Sequence, residues 1–358
     1  MKVIQVLPTL AYGDAIGNDA FALEKVIRDA GYKTQIYAES IVPPLDHKVA
    51  LDIKKLQGMN EKDVIIYHLS TGTQLNFDVA KYKCKKIIIY HNITPPEFFM
   101  GYDNFFEQIS RYALEGARFL ADKADYCLAV SAFNKYDLEK MGYKAPIDIL
   151  PIVIPFDDYR KRPSQEIVEK YQDGRHNIIF TGRVAPNKCH QDVIAAFASY
   201  KKYYDSEARL FLVGSYKATD TYYRKLKKYV ELLGVEDVIF TGHIKFEEIL
   251  AYYSIADVFL CMSEHEGFCV PLVEAMFFGV PIIAYNCTAV PMTLGDGGIL
   301  VDKKDSIETA ALINKIISDK HLRQLISDNQ EKRLKDFQYE KINAMFRSYL
   351  EKFIATHN

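Results

Sequence analysis

No run of the 358-residue chain approaches the roughly 18 consecutive apolar residues that a membrane-spanning helix needs, and Ile149 to Phe156 is interrupted by two prolines. A bilayer crossing is therefore not expected. An excess of one charge is missing too: the formal net charge is -2, and both signs are spread along the chain, which leaves no electrostatic footprint for nucleic acid. The six cysteines, at 84, 127, 189, 261, 269 and 287, include no CxxC spacing. Several lie inside apolar strands, where a free thiol behaves as a small hydrophobe, so a reducing cytoplasm without a zinc site is expected. Met1 to Leu10 has the look of a secretion signal, but its apolar run is short and no small-residue cleavage site follows. It is read as a first strand. The glycine-rich dinucleotide and P-loop patterns are absent as well.

What is present is enough apolar material, 49% of residues, to fill two cores, and the length suggests about two domains. Strands are expected at 2–7, 33–38, 63–67, 86–90, 126–130 and 147–150, separated by amphipathic segments. After a proline-rich crossing at 151–163 the alternation resumes, with strands at 177–181, 209–213, 237–241, 257–262 and 281–285. Alternation of this kind implies parallel sheets covered by helices, hence an α/β protein of two doubly wound domains. The breaks are expected to give 1–158, 159–336 and a final helix, 337–358, that returns to the first domain.

Open sheets of this class bind ligands beyond the carboxyl ends of their strands. Polar and glycine residues collect there. The segment Ser263-Glu264-His265-Glu266-Gly267-Phe268-Cys269-Val270-Pro271-Leu272-Val273-Glu274 sets Glu266 on a strand-to-helix loop and Glu274 in the first turn of the helix, with Pro271 at its first position and Gly279 at its C-terminal cap. First-turn carboxylates also serve helix dipoles, so the pair is not by itself a site. Thr181-Gly182-Arg183-Val184-Ala185-Pro186-Asn187-Lys188 places two cations on another such loop, suited to a departing diphosphate or merely solvated. In the first half, Gly13-Asp14-Ala15-Ile16-Gly17-Asn18 could offer backbone N–H groups to an anion or be a tight turn capped by Asp14 or Asn18. His68 and His91 each follow a strand, where a neutral imidazole can bond a hydroxyl or serve the core.

Together these residues resemble the retaining glycosyltransferases of family four, which have the glycosyltransferase-B fold. The resemblance rests on the E-x7-E spacing of Glu266 and Glu274 with Gly267 and Pro271 between, on Gly182-Arg183 with Lys188, and on the Gly13 to Gly17 loop and His91. It implies two Rossmann-like domains facing across a cleft and transfer of a hexose-type sugar from a nucleotide-sugar donor to a glycan or lipid-linked glycan. It further implies that Arg183 and Lys188 bind the diphosphate, Glu274 the ribose and Glu266 a donor-sugar hydroxyl. By the same resemblance the Gly267, Phe268, Cys269 and Val270 amides touch sugar and phosphate, His243 and Ile244 receive the base, and His91 faces the donor sugar. Gly13, Gly17 and Gly182 join the donor side; Asp14, Asn18 and His68 are acceptor candidates. No metal, DxD motif or resident cofactor is expected, since the nucleotide-sugar is a co-substrate.

Two departures are visible. Asp14 stands where paired glycines are common, and Cys269 where a glycine is common. Phe98, Phe99, Tyr102, Phe105 and Phe106 could form an acceptor platform, though core packing or a lipid-facing patch explains them about as well. Lys81 to Lys86 could touch anionic lipid at a membrane face, though a short basic run is usually a solvated edge. A non-catalytic sugar-nucleotide-binding subunit, or a phosphorylase or epimerase of the same fold, remains an alternative. On the leading reading, Arg183→Ala and Lys188→Ala are expected to lower turnover more than folding stability, which paired activity and unfolding measurements check.

Overall fold

The computed structural model describes residues 1–11, 13–43, 45 and 49–357. The chain divides into two compact units: Met1–Glu97 with Phe105–Pro155 and Asp336–Asn358, and Phe98–Asn104 with Phe156–Lys335. The breaks thus fall after Pro155 and Lys335, and a short segment ahead of residue 105 goes with the second unit.

The first unit holds a seven-stranded sheet. Its strands are β1 (Val3–Leu10), β2 (Ile36–Ile41), β3 (Leu51–Asp52), β4 (Val64–Leu69), β5 (Lys85–Tyr90), β6 (Tyr126–Ala129) and β7 (Ile147–Ile149). Every pairing is parallel, in the order β3-β2-β1-β4-β5-β6-β7. Central strands of a parallel sheet are covered on both faces, and β4 accordingly is buried along its whole length. The order reverses between β1 and β4, which is the switch point where such sheets open to ligands. Two expectations shift here. The second strand begins at Ile36 rather than Lys33, which forms an isolated bridge to Lys2. His68 lies inside β4 rather than after it.

The final helix, Tyr339–His357, packs in this first unit against the helix Ala15–Asp29. Ile342, Phe346, Leu350 and Phe353 are its buried stripe, with Phe353 lying over Tyr126 at 5.6 Å between ring centres.

The second unit holds a six-stranded sheet in the order β10-β9-β8-β11-β12-β13. Its strands are β8 (Asn177–Thr181), β9 (Arg209–Val213), β10 (Val238–Gly242), β11 (Val258–Cys261), β12 (Ile282–Tyr285) and β13 (Ile299–Val301), again all parallel. Its switch point lies between β8 and β11. The short edge strands β3 and β13 escaped the sequence reading because two or three residues carry no periodicity to detect.

One core residue of this unit is unusual. His190, at the start of the helix His190–Tyr203, is fully buried with its ring steeply inclined to those of Phe180 and Tyr222, and neither ring nitrogen has a hydrogen-bonding partner among the described residues. Burial, with Lys188 nearby, lowers its pKa to about 3. The unfolded chain therefore binds a proton at His190 below about pH 6.5 that the folded chain refuses, so this residue costs stability as pH falls. In His190→Leu, stability relative to the parent should improve by about 2 kcal/mol between pH 7.5 and pH 5, since each pH unit below 6.5 is worth about 1.4 kcal/mol. Urea unfolding of both proteins at the two pH values measures it; a constant difference would refute the neutral burial.

Candidate functional site

The loops after β8 and β11 meet at the switch point of the second sheet. The meeting is made by backbone and side chain together: the Asn187 carbonyl accepts from the Glu264 N–H at 2.9 Å, and Asn187 Nδ2 donates to the His265 carbonyl at 3.0 Å. This stitching brings Lys188 onto Glu266. Nζ lies 2.6 Å from Oε1 and 2.7 Å from Oε2, with the lysine side chain 21% and the glutamate 7% exposed. Burial, the largest single influence, pushes the Lys188 ammonium down, yet Glu266 together with the neighbouring Cys269 and Cys261 holds the pKa above the ordinary lysine value. The Glu266 N–H is itself held by Thr288 Oγ1 at 3.0 Å.

The neighbouring loops are clamped at backbone distance. Gly182 donates to the Val213 carbonyl and Val184 to that of Ser215. A Cβ on Gly214 would lie 2.0 Å from the Gly182 oxygen, so only glycine lets the two strands of chain pass here. Arg183, on the same loop, is exposed. Gly242 closes β10, and His243 and Ile244 follow it ahead of the helix Phe246–Ser254, with His243 exposed.

Glu274 is placed differently from expectation. The helix begins at Val270, with Cys269 as its N-cap and Pro271 second, so Glu274 sits beyond the first turn, where the helix dipole has little hold on it. Its two oxygens instead accept from Tyr159 at 3.0 Å and Tyr253 at 2.7 Å. Burial raises its pKa while the two phenols lower it, with burial the larger effect. A carboxylate oxygen has about two lone-pair sites, so each keeps one free for a further hydroxyl. The Gly267 to Cys269 stretch is buried, and Thr293 Oγ1 donates to the Phe268 carbonyl at 2.5 Å. Cys269 adopts φ 70°, the left-handed region that favours glycine, which accounts for the cysteine being the departure there.

In the first unit, the Asp14 carboxylate caps the helix Ala15–Asp29 by accepting from the Gly17 N–H at 2.5 Å. It thus serves the turn as a cap, and the Asn18 backbone N–H donates to the Asp14 carbonyl in the same first turn. A Cβ on Gly17 would fall 2.3 Å from the Ala11 oxygen, which dictates glycine. His68 and His91 are brought edge to edge, Nδ1 to Nε2 at 2.8 Å, and His68 Nε2 reaches Gln5 Oε1 at 2.9 Å. Asp19 Oδ2 is 4.0 Å from His91 Nε2, and its other oxygen accepts from the Val153 N–H. Burial raises Asp19 to about 7 and lowers His68 to about 3; burial, then the neighbouring His68, takes His91 well below its usual value.

The aromatics expected to form a platform divide between the units: in the second, Phe98 packs on His265, Tyr102 packs on Tyr222 and Phe99 is buried, while in the first Phe105 is 66% exposed. The basic run is partly spent too: the Lys86 ammonium is bound by the Tyr82 and Cys84 carbonyls, and Lys81 and Lys85 pair with Asp78 and Asp125. Among the described residues no helix is long and apolar enough to cross a membrane.

Three groups bring potential metal-ligating atoms within 4.8 Å of one another: Asp19, His68 and His91; Cys261, Glu266 and Cys269; Cys189, Asp192 and Glu264. Each is already balanced, by the imidazole hydrogen bond, by Lys188, and by Lys304, which pairs with both Asp192 and Glu264. Asn187, Thr288, Tyr159 and Tyr253 were not foreseen as site residues. Asn187 at least was legible as the polar residue directly before Lys188; the others lie on segments with no motif.

Among solved structures, Anabaena Alr3699/HepE in complex with UDP and glucose superposes with a TM-score of 0.77 at 19% identity, covering 98% of this chain and 100% of that one. Sucrose-phosphate synthase from Thermosynechococcus elongatus gives 0.76 at 16%, covering 99% and 100%. The family described as Glycosyl transferases group 1 matches residues 162–333. The chain has the glycosyltransferase-B fold, and its second unit carries the group 1 region. Curated relatives of this glycosyltransferase-B chain include the GDP-mannose-dependent alpha-(1-6)-phosphatidylinositol monomannoside mannosyltransferase of Mycobacterium tuberculosis, 27% identical over 217 residues and covering 57% of this chain and 55% of the relative. Another is the O-antigen chain mannosyltransferase B of Escherichia coli, 26% identical over 236 residues and covering 64% and 61%. The chain thus spans less than two thirds of their length.

The Lys188–Glu266 pair revises the expectation for Lys188. Removing one partner of a buried pair leaves the other charge uncompensated, at a cost of about 3–5 kcal/mol. Lys188→Met should approach that loss, and Lys188→Met combined with Glu266→Gln should recover most of it. A double-mutant cycle by urea unfolding reads the coupling, and additive losses would show that the pair is not formed.

Proposed function

We propose that the protein is a retaining hexosyltransferase that moves a sugar from a nucleotide-sugar donor to a glycan or lipid-linked glycan during glycoconjugate synthesis. The observation that carries the reading is the convergence of Lys188, Glu266 and the Arg183 loop at the switch point of the unit matching the group 1 family. A scaffold has no physical need to hold an ammonium charged and half-sheltered in that position.

On this reading the bond from the anomeric carbon to the diphosphate oxygen breaks, and its electron pair stays on the departing diphosphate. Arg183 and Lys188 supply the opposing charge, so no divalent metal or resident cofactor enters the reaction. Fixed charge in a sheltered site stabilises a developing anion far more than the same charge in water. Lys188 then divides its three N–H groups between Glu266 and phosphate. Glu266 accepts from a donor-sugar hydroxyl, and Glu274 offers its remaining lone pairs to the ribose while Tyr159 and Tyr253 hold it in place. His243 and Ile244 flank the base. The acceptor hydroxyl attacks from the face the diphosphate leaves and passes its proton to the departing phosphate oxygen, so the anomeric configuration is kept. The mannosyltransferase relatives make GDP-mannose the first donor to try, with UDP-glucose second.

The test is release of nucleoside diphosphate from GDP-mannose and UDP-glucose, with and without EDTA, alongside thermal shifts with GDP and UDP. One nucleotide should raise the melting temperature, its sugar conjugate should be turned over regardless of EDTA, and Arg183→Ala should cut kcat by about 100-fold or more. Neither stabilisation nor turnover with a panel of nucleotide sugars would overturn the reading. The anomeric configuration of a transfer product, read by NMR, decides retention.

A further inference from the structure

The hydrogen bonds around His91 can be followed in one direction only. Gln5 Nε2 donates to the Ala20 carbonyl at 2.8 Å, which fixes the amide so that Oε1 faces His68. An amide oxygen only accepts, so His68 carries its proton on Nε2 and presents a lone pair at Nδ1. That lone pair, 2.8 Å from His91 Nε2, requires the His91 proton to be on Nε2. The two rings are nearly coplanar, at 13°, and their centres are 5.1 Å apart, which the 2.8 Å bond and the two ring radii account for. They are joined through their edges rather than laid face to face. Asp19 does not compete for the proton, because its nearer oxygen is 4.0 Å from Nε2, beyond hydrogen-bonding reach.

His91 Nδ1 is therefore a bare acceptor. It has no hydrogen-bonding partner among the described residues, and the side chain is 1% exposed. A buried acceptor without a donor costs free energy that a ligand hydroxyl would return. The cost is built in by the strands themselves: Gln5 lies in β1, His68 in β4, and His91 directly after β5, three neighbours at the switch point of the first sheet.

We infer that Gln5 and His68 are positioning residues that lock His91 as the Nε2–H tautomer, so that its Nδ1 accepts a hydrogen bond from a sugar hydroxyl bound at the switch point of the first unit's sheet. The inference rests on the glycosyltransferase reading for the identity of the ligand, but the tautomer lock stands on the hydrogen bonds alone. It assigns His68 to the tuning of His91 rather than to the acceptor. It also makes His91 neutral throughout, in keeping with the burial that lowers both imidazoles. His91 is then a fixed acceptor that recognises a hydroxyl, and it carries no proton to or from the reacting atoms.

Histidine-selective 15N labelling of the unmodified protein tests the lock without any substitution. His91, assigned by its loss in His91→Phe, should show a protonated Nε2 and an unprotonated Nδ1 at pH 7.5. A proton on Nδ1 overturns the inference whatever the protein catalyses. The functional half is read in Gln5→Met, which removes the acceptor facing His68 at nearly constant volume. There the single tautomer should give way to a mixture, and kcat/KM with GDP-mannose or UDP-glucose, whichever the parent uses, should fall about tenfold. The dissociation constant for the corresponding sugar-free GDP or UDP should stay within twofold. Equal losses for nucleotide and sugar nucleotide would mark a general structural defect and overturn the positioning role. A parent protein that shows the stated tautomer but turns over no nucleotide sugar would sink the functional reading and the sugar contact together, while leaving the lock in place.

Discussion

The ion pair between Lys188 and Glu266 is the constraint on which the second unit's site depends. Its value is not in stability, because withdrawing two charges from water consumes most of what their attraction returns. What it does is keep an ammonium charged at a fixed point where sequence-distant loops converge, 78 residues apart along the chain. Asn187 ties the two loops together on one side, and Thr288 holds the Glu266 backbone on the other. The charge is therefore delivered by hydrogen bonds that have nothing to do with a ligand.

Holding such loops close has a backbone cost, and it is concentrated here. Cys189, Cys269 and Thr288 all adopt positive φ, each adjoining or within the loops that carry Lys188, Glu266 and their partners. Strain of roughly 1–3 kcal/mol per residue persists only where the surroundings over-determine the conformation. The surroundings do so: buried Cys189 and Cys269 belong to the core cluster around β8 and β11. Gly214 contributes by omission, since its missing side chain is what lets the Gly182–Arg183 loop lie against it.

The first unit reaches a similar end by other means. Its switch point carries, among the described residues, no ion pair of that kind but a line of neutral groups, Gln5, His68 and His91, each determining the proton position of the next. Asp14, a candidate for ligand contact, caps the helix that follows β1 through one carboxylate oxygen. An anionic cap at that point leaves the neighbouring amides of the turn, rather than the carboxylate, as the groups suited to a ligand.

Much of this was legible in the sequence. Apolar runs bounded by glycine and polar turns located nearly every long strand, because a parallel sheet buried on both faces is written in near-continuous apolar residues, as 64–67 of β4, 178–180 of β8 and 258–261 of β11 are. The spacing of Glu266 and Glu274 and the Gly182-Arg183 and Lys188 set pointed to the ends of the right strands, since motif positions are local. What the sequence could not express was pairing across distance. That Lys188 meets Glu266, that Tyr159 and Tyr253 hold Glu274, and that Gln5 decides where the proton of His91 sits are consequences of strand order, which brings β8 beside β11 and β1 beside β4. Residue type and local spacing determined which groups were available for chemistry; only the parallel packing of non-consecutive strands decided which of them share a proton or a charge, because hydrogen bonds act over about 3 Å and chain separation carries no information about that distance.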